Sequence, residues 1–299
     1  MKYFLFLFFS FSLIGQNTQS NFLIPSDSLH PKRKQLVYIT EGALLGGTLI
    51  GLNQIWYKDY PKSSFHFIND NDDWMQMDKA GHLYSNYHLG RMGAEALAWS
   101  GATKKQQLIY GGTLGFAFMS VVEVFDGFSK EWGASWGDVL ANAAGTGLYV
   151  SQELLWEEQR IIPKFSFHKT KYAALRPNTL GESWNEQILK DYNGQTYWLS
   201  ANLYSFVKAD YVPKWLNLAF GYGADGMVSG SRETVPAELM SFNHRTRQFY
   251  LSFDVDLTKI NTQSHTLKTL FSIFNTIKVP APTLEINQFS RTKLYFIYF

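Results

Sequence analysis

The residues best able to do chemistry lie in three short runs of the sequence. Asp78-Lys79-Ala80-Gly81-His82 sets a carboxylate and an imidazole one helical turn apart on one face, with Lys79 at the three-residue spacing from His82. Glu123 and Asp126 form an acidic pair three residues apart, and Ser135-Trp136-Gly137-Asp138 is followed by Asn142, which shares a helix face with Asp138. Converging helix ends would give these groups three uses. The first is a buried ion-pair and hydrogen-bond network that fixes helix register. The second is a metal site built from His82, Asp126 and Asp138, since imidazole and carboxylate are suitable ligands. The third is acid–base hydrolysis with His82 as base and Asp78 orienting it. Ser135 and Asp138 also fit a helix capping box, a structural use of the same residue types. Further along, Arg91 and Glu95 read as an exposed pair one turn apart, and His88 as a packed or surface histidine. No nucleophile elbow, phosphate loop or His-Glu-x-x-His run is present.

The elements that must position these groups read as four helices, over about 35–57, 78–99, 104–125 and 135–156. In the first, Gly42 and Gly46, then Gly47 and Gly51, are spaced four apart, a pattern that lets a neighbouring helix approach closely. Its length also suffices to cross a bilayer. Because glycine weakens a helix in water, close packing is the expected reason for so many. Gly111 and Gly115 repeat the pattern in the third helix.

Past about residue 157 the composition turns basic and polar, with Pro163 and Pro177, and a linker is expected over 161–194. The period then changes to two. Tyr197, Leu199, Ala201, Leu203 and Val207 share one face, as do Leu216, Leu218, Phe220, Tyr222 and Ala224, while Phe249 to Leu257 alternate with Gln248 to Asp256. Gly221 and Gly223 read as a bend or bulge. The chain closes on RTKLYFIYF, with Tyr295, Ile297 and Phe299 on one face, like the closing strand of an outer-membrane barrel. An amphipathic stretch, Leu267 to Ile277, carries Leu270, Phe271 and Phe274 on one side. The expected fold is α+β: an N-terminal four-helix glycine-rich bundle over 35–160, then an antiparallel, partly membrane-facing sheet or incomplete barrel over 195–299.

The 299 residues include 50 aromatics (Trp 9, Tyr 17, Phe 24) and a net charge of only +2, which suits a membrane interface and excludes a polyanion binder, so no nucleic-acid partner is expected. Met1-Lys2, an apolar run from Tyr3 to Ile14 and then Gly15-Gln16 read as a signal peptide over 1–15. With 0 cysteines there is no lipid-modified cysteine and no disulfide.

Asp78-Lys79-x-x-His82, then Glu123-x-x-Asp126, then Ser135-Trp136-x-Asp138 with Asn142 and Gly145, resembles the YfiM-like predicted periplasmic lipoproteins over roughly Trp74 to Gln152. More distantly it is similar to VanZ-like membrane proteins. The family has no settled activity, so the resemblance implies an envelope location and a candidate cluster, Asp78, Lys79, His82, Glu123, Asp126, Ser135, Asp138 and Asn142, but no reaction and no cofactor. The chain departs from it in lacking the lipidated cysteine and in adding a long C-terminal extension. The expected function is an exported envelope protein at the outer membrane or the periplasmic face of a membrane, structural or binding lipid or other envelope components. The alternative is a membrane-associated hydrolase of an envelope lipid or glycan.

Overall fold

The computed structural model describes residues 22–58, 60–289 and 291–299. The signal-like run over 1–15 lies outside the described residues. Helix α1, Pro31–Leu52, starts with proline in its first turn and with His30 Nδ1 accepting from the Arg33 N–H, and it runs on through a wider turn at Asn53–Tyr57. Helix α2 spans Met77–Trp99 and α3 spans Leu114–Gly127, after a short turn at Lys104–Gln106 and a wider one at Gln107–Gly111. Helix α4, Trp136–Leu155, is capped by the Ser135 hydroxyl, which accepts from the Asp138 N–H.

Helix α2 is the centre of the helical unit. A Cβ at Gly115 of α3 would lie 2.3 Å from the Asn86 carbonyl oxygen, and one at Gly145 of α4 would lie 2.2 Å from that of Leu83, so both backbones rest directly on α2. Helix α1 does not join them in the same way. It meets α2 near its start, where Val37 packs with Leu97 and Ala102. Its four glycines have nothing within 4 Å of where a Cβ would sit. The close packing expected from their spacing is therefore absent among the described residues, and Ile39, Leu44 and Ile50 stand exposed. The segments Pro31–Tyr57 and Lys104–Gly127 are each long and apolar enough to cross a membrane by length and composition, the first with 6% of its apolar window buried and the second with 33%.

Two residues of β1, Phe67–Ile68, pair in parallel with β2, Ala134–Ser135, and draw the loop after β1 to the start of α4. The second sheet is an antiparallel meander of β3 (Ile161–Phe167), β4 (Gln195–Asn202), β5 (Leu216–Asp225), β6 (Thr246–Val255), β7 (Ala281–Asn287) and β8 (Thr292–Tyr298), and strand pairing does not close it. The expected linker is corrected here: β3 is a strand of this sheet. Pro163 hides it in the sequence, yet β3 is an edge strand, where a missing N–H is tolerated. Its free edge makes a single parallel bridge, Phe165 to Ile277.

The alternation in these strands is as expected, and the side that faces inward is the polar one. Thr196, Trp198, Ser200 and Asn202 of β4, Asn217 of β5, and Tyr250, Ser252 and Asp254 of β6 are buried, whereas Leu199, Phe220, Phe249, Leu251 and Phe253 are exposed. Lys164 Nζ of β3 lies 2.8 Å from Asp254 Oδ2 of β6, with both side chains fully buried. Three strand spacings in a flat sheet are about 14 Å, so the sheet must curl strongly round its polar interior. Ser200 Oγ donates to Asp254 at 2.6 Å, Asn217 Nδ2 to Ser200 at 2.9 Å, and Trp198 Nε1 to Ser166 at 2.9 Å, so the interior groups supply one another's partners.

Three local expectations change. Gly221 lies in a regular strand, without bend or bulge, and glycine is needed there because a Cβ would sit 2.7 Å from the Trp198 ring. Leu203 and Val207 leave the β4 face, since that strand ends at Asn202 and Leu203–Val207 is a helical turn. On β8, Thr283 pairs with Tyr295 but Ala281 with Tyr298, a bulge that puts two residues opposite one. Tyr295, Ile297 and Phe299 therefore do not share a face: Tyr298 is buried, and Phe296 and Ile297 are exposed. Helix α5, His265–Phe274, joins β6 to β7 and leaves Leu270 and Phe274 exposed.

Candidate functional site

The polar cluster assembles where the start of α2, the end of α3 and the start of α4 meet. Three consecutive left-handed residues, Trp74 (φ 46°), Met75 (φ 52°) and Gln76 (φ 63°), set the direction in which α2 begins. Bulky residues in this region store strain that the surroundings must hold. The Tyr222 hydroxyl of β5 donates to the Met75 carbonyl at 2.5 Å, and the Trp74 N–H donates to Gly230 at 2.8 Å. The sheet thus fixes the helix end that carries Asp78 and Lys79.

Lys79 Nζ sits among three carboxylates, 2.7 Å from Asp70, 2.9 Å from Asp78 and 3.1 Å from Asp138. Gly137 makes room: a Cβ there would lie 2.2 Å from Asn71 Oδ1 and 3.1 Å from Lys79 Cε. Burial works against the Lys79 ammonium, but its carboxylate neighbours outweigh this and hold it above the usual lysine range. Burial also pushes Asp78 up, to about 6, against the pull of Lys79. For Asp70 burial acts upward too, yet the bonds from Lys79 and from the Ser135 hydroxyl (2.5 Å) win and hold it low.

His82 lies one turn further along α2. Its Nδ1 is 2.9 Å from Asn142 Oδ1 and 3.7 Å from Glu123 Oε1, and its Nε2 is 3.9 Å from Asp138 Oδ1. Glu123 Oε2 accepts from the Ser135 N–H at 3.0 Å, so the residue that caps α4 also ties α3 to it. Burial pushes Glu123 up to about 7 and raises Asp138 as well. Asp126 goes elsewhere: it accepts from the Tyr57 hydroxyl at 2.7 Å, and burial raises it to about 7. Of the three expected ligands, then, His82 and Asp138 stand together, and Glu123 rather than Asp126 faces them. The Asp138 side chain does not reach back over the helix start as a capping box requires, because Lys79 holds it.

Residues 67–153 match the predicted periplasmic lipoprotein family DUF2279. The matched segment runs from β1 into α4 and holds all eight residues of the expected cluster, so the family segment coincides with the unit that builds the site. Its description agrees with an exported protein of the periplasm or the periplasmic face of a membrane. The chain itself has 0 cysteines. No curated protein and no solved structure matches the chain.

The sequence reading missed Asp70, Asn86 and Tyr57. Asn86 lies one turn past His82 and donates to the His82 carbonyl at 2.8 Å, a position that helical spacing does mark. Asp70 comes from a loop that only the β1–β2 pairing brings in. Arg91 is not exposed: it is buried and bonds Glu95 Oε1 at 2.8 Å and the Ser272 carbonyl at 3.0 Å. His88 is packed, with its Nε2 2.7 Å from the Pro163 carbonyl, and burial lowers it to about 3.

A cleft of about 280 Å³ beside the cluster is lined by Asp78 and His82 together with Trp56, Met119, Leu189, Tyr192 and Tyr197, among others.

Proposed function

We propose that the chain is an envelope protein that associates with a membrane through the outer face of its β3–β8 sheet, and that its helical unit holds a lipid in the cleft over Asp78 and His82. The observation that carries this reading is the inverted polarity of the sheet. A sheet solvated by water buries its apolar face, whereas here Lys164 and Asp254 are fully buried and Phe220, Phe253 and Phe296 stand 55%, 53% and 85% exposed. Exposed apolar side chains on β4 to β8 make a continuous surface that lipid solvates and water does not. The unburied α1 adds a second apolar surface. The cleft supports the lipid half of the reading, since its lining combines aromatic side chains with Asp78 and His82, as an amphiphile would need.

Flotation of the purified chain with phosphatidylethanolamine/phosphatidylglycerol vesicles tests this. Wild type should rise with the vesicles. The triple variant Phe220→Ser, Phe249→Ser, Phe253→Ser should lose at least tenfold of that recovery, because each buried Phe contributes roughly 1.5–3 kcal/mol. These side chains point away from the polar interior, so circular dichroism should show an unchanged fold. Wild type remaining at the bottom of the gradient, or equal flotation of both proteins, would overturn the reading.

A further inference from the structure

We propose that His82, Glu123 and Asp138 bind one divalent transition-metal ion of the Mn2+ or Zn2+ kind. This inference does not depend on membrane association. One imidazole nitrogen and one oxygen from each carboxylate lie within 4.8 Å of one another. A modest inward shift brings such a set onto metal bonds of about 2.0–2.2 Å. An independent observation points to a cation there. Glu123 is 4% exposed, and its Oε1 has no hydrogen-bond partner among the described residues, although Oε2 is held by the Ser135 N–H. That oxygen lies 3.7 Å from His82 Nδ1, beyond hydrogen-bond reach. A buried carboxylate oxygen without a donor is costly, and a metal ion relieves the cost directly.

The neighbours of His82 prepare it as a ligand. Asn142 Oδ1 accepts from Nδ1–H at 2.9 Å, and Asn86 Nδ2 donates to the same oxygen and fixes the amide's orientation. The lone pair is then left on Nε2, which lies 3.9 Å from Asp138 Oδ1. Histidines that bind metals characteristically donate their other ring N–H in this way. A second set of carboxylates, Asp70, Asp78 and Asp138, also converges, but the Lys79 ammonium already sits among them at 2.7–3.1 Å. Asp138 Oδ1, which is 3.1 Å from Lys79 Nζ and 3.9 Å from His82 Nε2, would thus be shared between the ammonium and a cation on the Glu123 side. One imidazole and two carboxylates suit Mn2+ or Zn2+ and not a thiolate-seeking metal.

The test uses the full chain in detergent, stripped with a chelator and titrated with Mn2+ under electron paramagnetic resonance, then with Zn2+ as competitor. Wild type should bind one equivalent of Mn2+, with a nitrogen coupling from an imidazole ligand, and Zn2+ should displace it. Glu123→Gln and His82→Gln should each weaken binding tenfold or more, while Asp126→Asn, outside the set, should leave it unchanged. Absence of one-equivalent binding in wild type, or binding without nitrogen coupling, overturns the site even if a variant fails to fold. Full retention of binding in a folded Glu123→Gln or His82→Gln overturns it as well.

Discussion

Asp126 keeps its proton to about pH 7 because burial disfavours its charged form, with the Tyr57 hydroxyl only partly offsetting this. In the unfolded chain it titrates near 3.8. Between these values the folded state binds more protons than the unfolded one, so stability falls as pH rises from about 4 to 7 and is level above that. At about 1.4 kcal/mol per unit the loss reaches up to about 4 kcal/mol, less where water reaches the carboxyl. Asp126→Asn keeps the acceptor for Tyr57 and removes the titration. It should stabilise the protein at pH 8 and change little at pH 4, as read from urea midpoints; equal shifts at both would refute the assignment. Lys79 is the counterpart. Lys79→Met leaves Asp70, Asp78 and Asp138 without their cation and should cost about 3–5 kcal/mol; a loss below 1 kcal/mol would show that those carboxylates are adequately solvated. Helical spacing made Asp78, Lys79, His82 and Asn142 legible in the sequence because partners on one helix recur every three or four residues. It left out Asp70 and the Tyr57 partner of Asp126, since neither a loop's approach nor the reach of Tyr57 from beyond α1 is periodic.

At the scale of elements the glycines sort themselves by what surrounds them. A side chain at Gly115 meets the Asn86 backbone, whereas one at Gly46 meets nothing within 4 Å. Gly115→Ala should therefore force α3 off α2 and cost at least 1–3 kcal/mol, as overpacking does. Gly46→Ala should stabilise by roughly 0.5–1 kcal/mol through helix propensity. Thermal unfolding of the two variants side by side checks the pair, and a destabilising Gly46→Ala would mean that α1 packs after all. The sequence shows the same small-xxx-small spacing in both helices. Only the third dimension separates them, because spacing reports that a close approach is possible and not whether a neighbour takes it. The same limit hid β3, whose proline reads as a boundary until the strand is seen at a sheet edge.

Across the whole molecule the alternation was legible within β4 to β6, though read past their ends at Asn202 and Val255, and its direction was not: period two gives two faces and leaves open which one turns inward. The curled sheet answers that through Lys164 and Asp254. At the C-terminal edge the β8 bulge, which no local pattern announces, exchanges the roles of the final residues. The Tyr298 hydroxyl donates to that of Tyr250 at 3.0 Å and lies 3.1 Å from Thr196 Oγ1, so it ties β8 to β6 and β4 across the interior. Phe299 is 43% exposed and follows the last paired residue. If the interior network holds the curl, Tyr298→Ala removes a buried ring and strands its hydroxyl partners, at a cost of about 3–5 kcal/mol. Deleting Phe299 removes only exposed apolar area and should leave the unfolding midpoint within about 0.5 kcal/mol of wild type. Its effect should instead fall on vesicle flotation. Unfolding in detergent and flotation of the two variants separate these roles: a Phe299 deletion that unfolds the sheet as readily as Tyr298→Ala would place the contact that holds β8 at the terminal residue instead of at Tyr298.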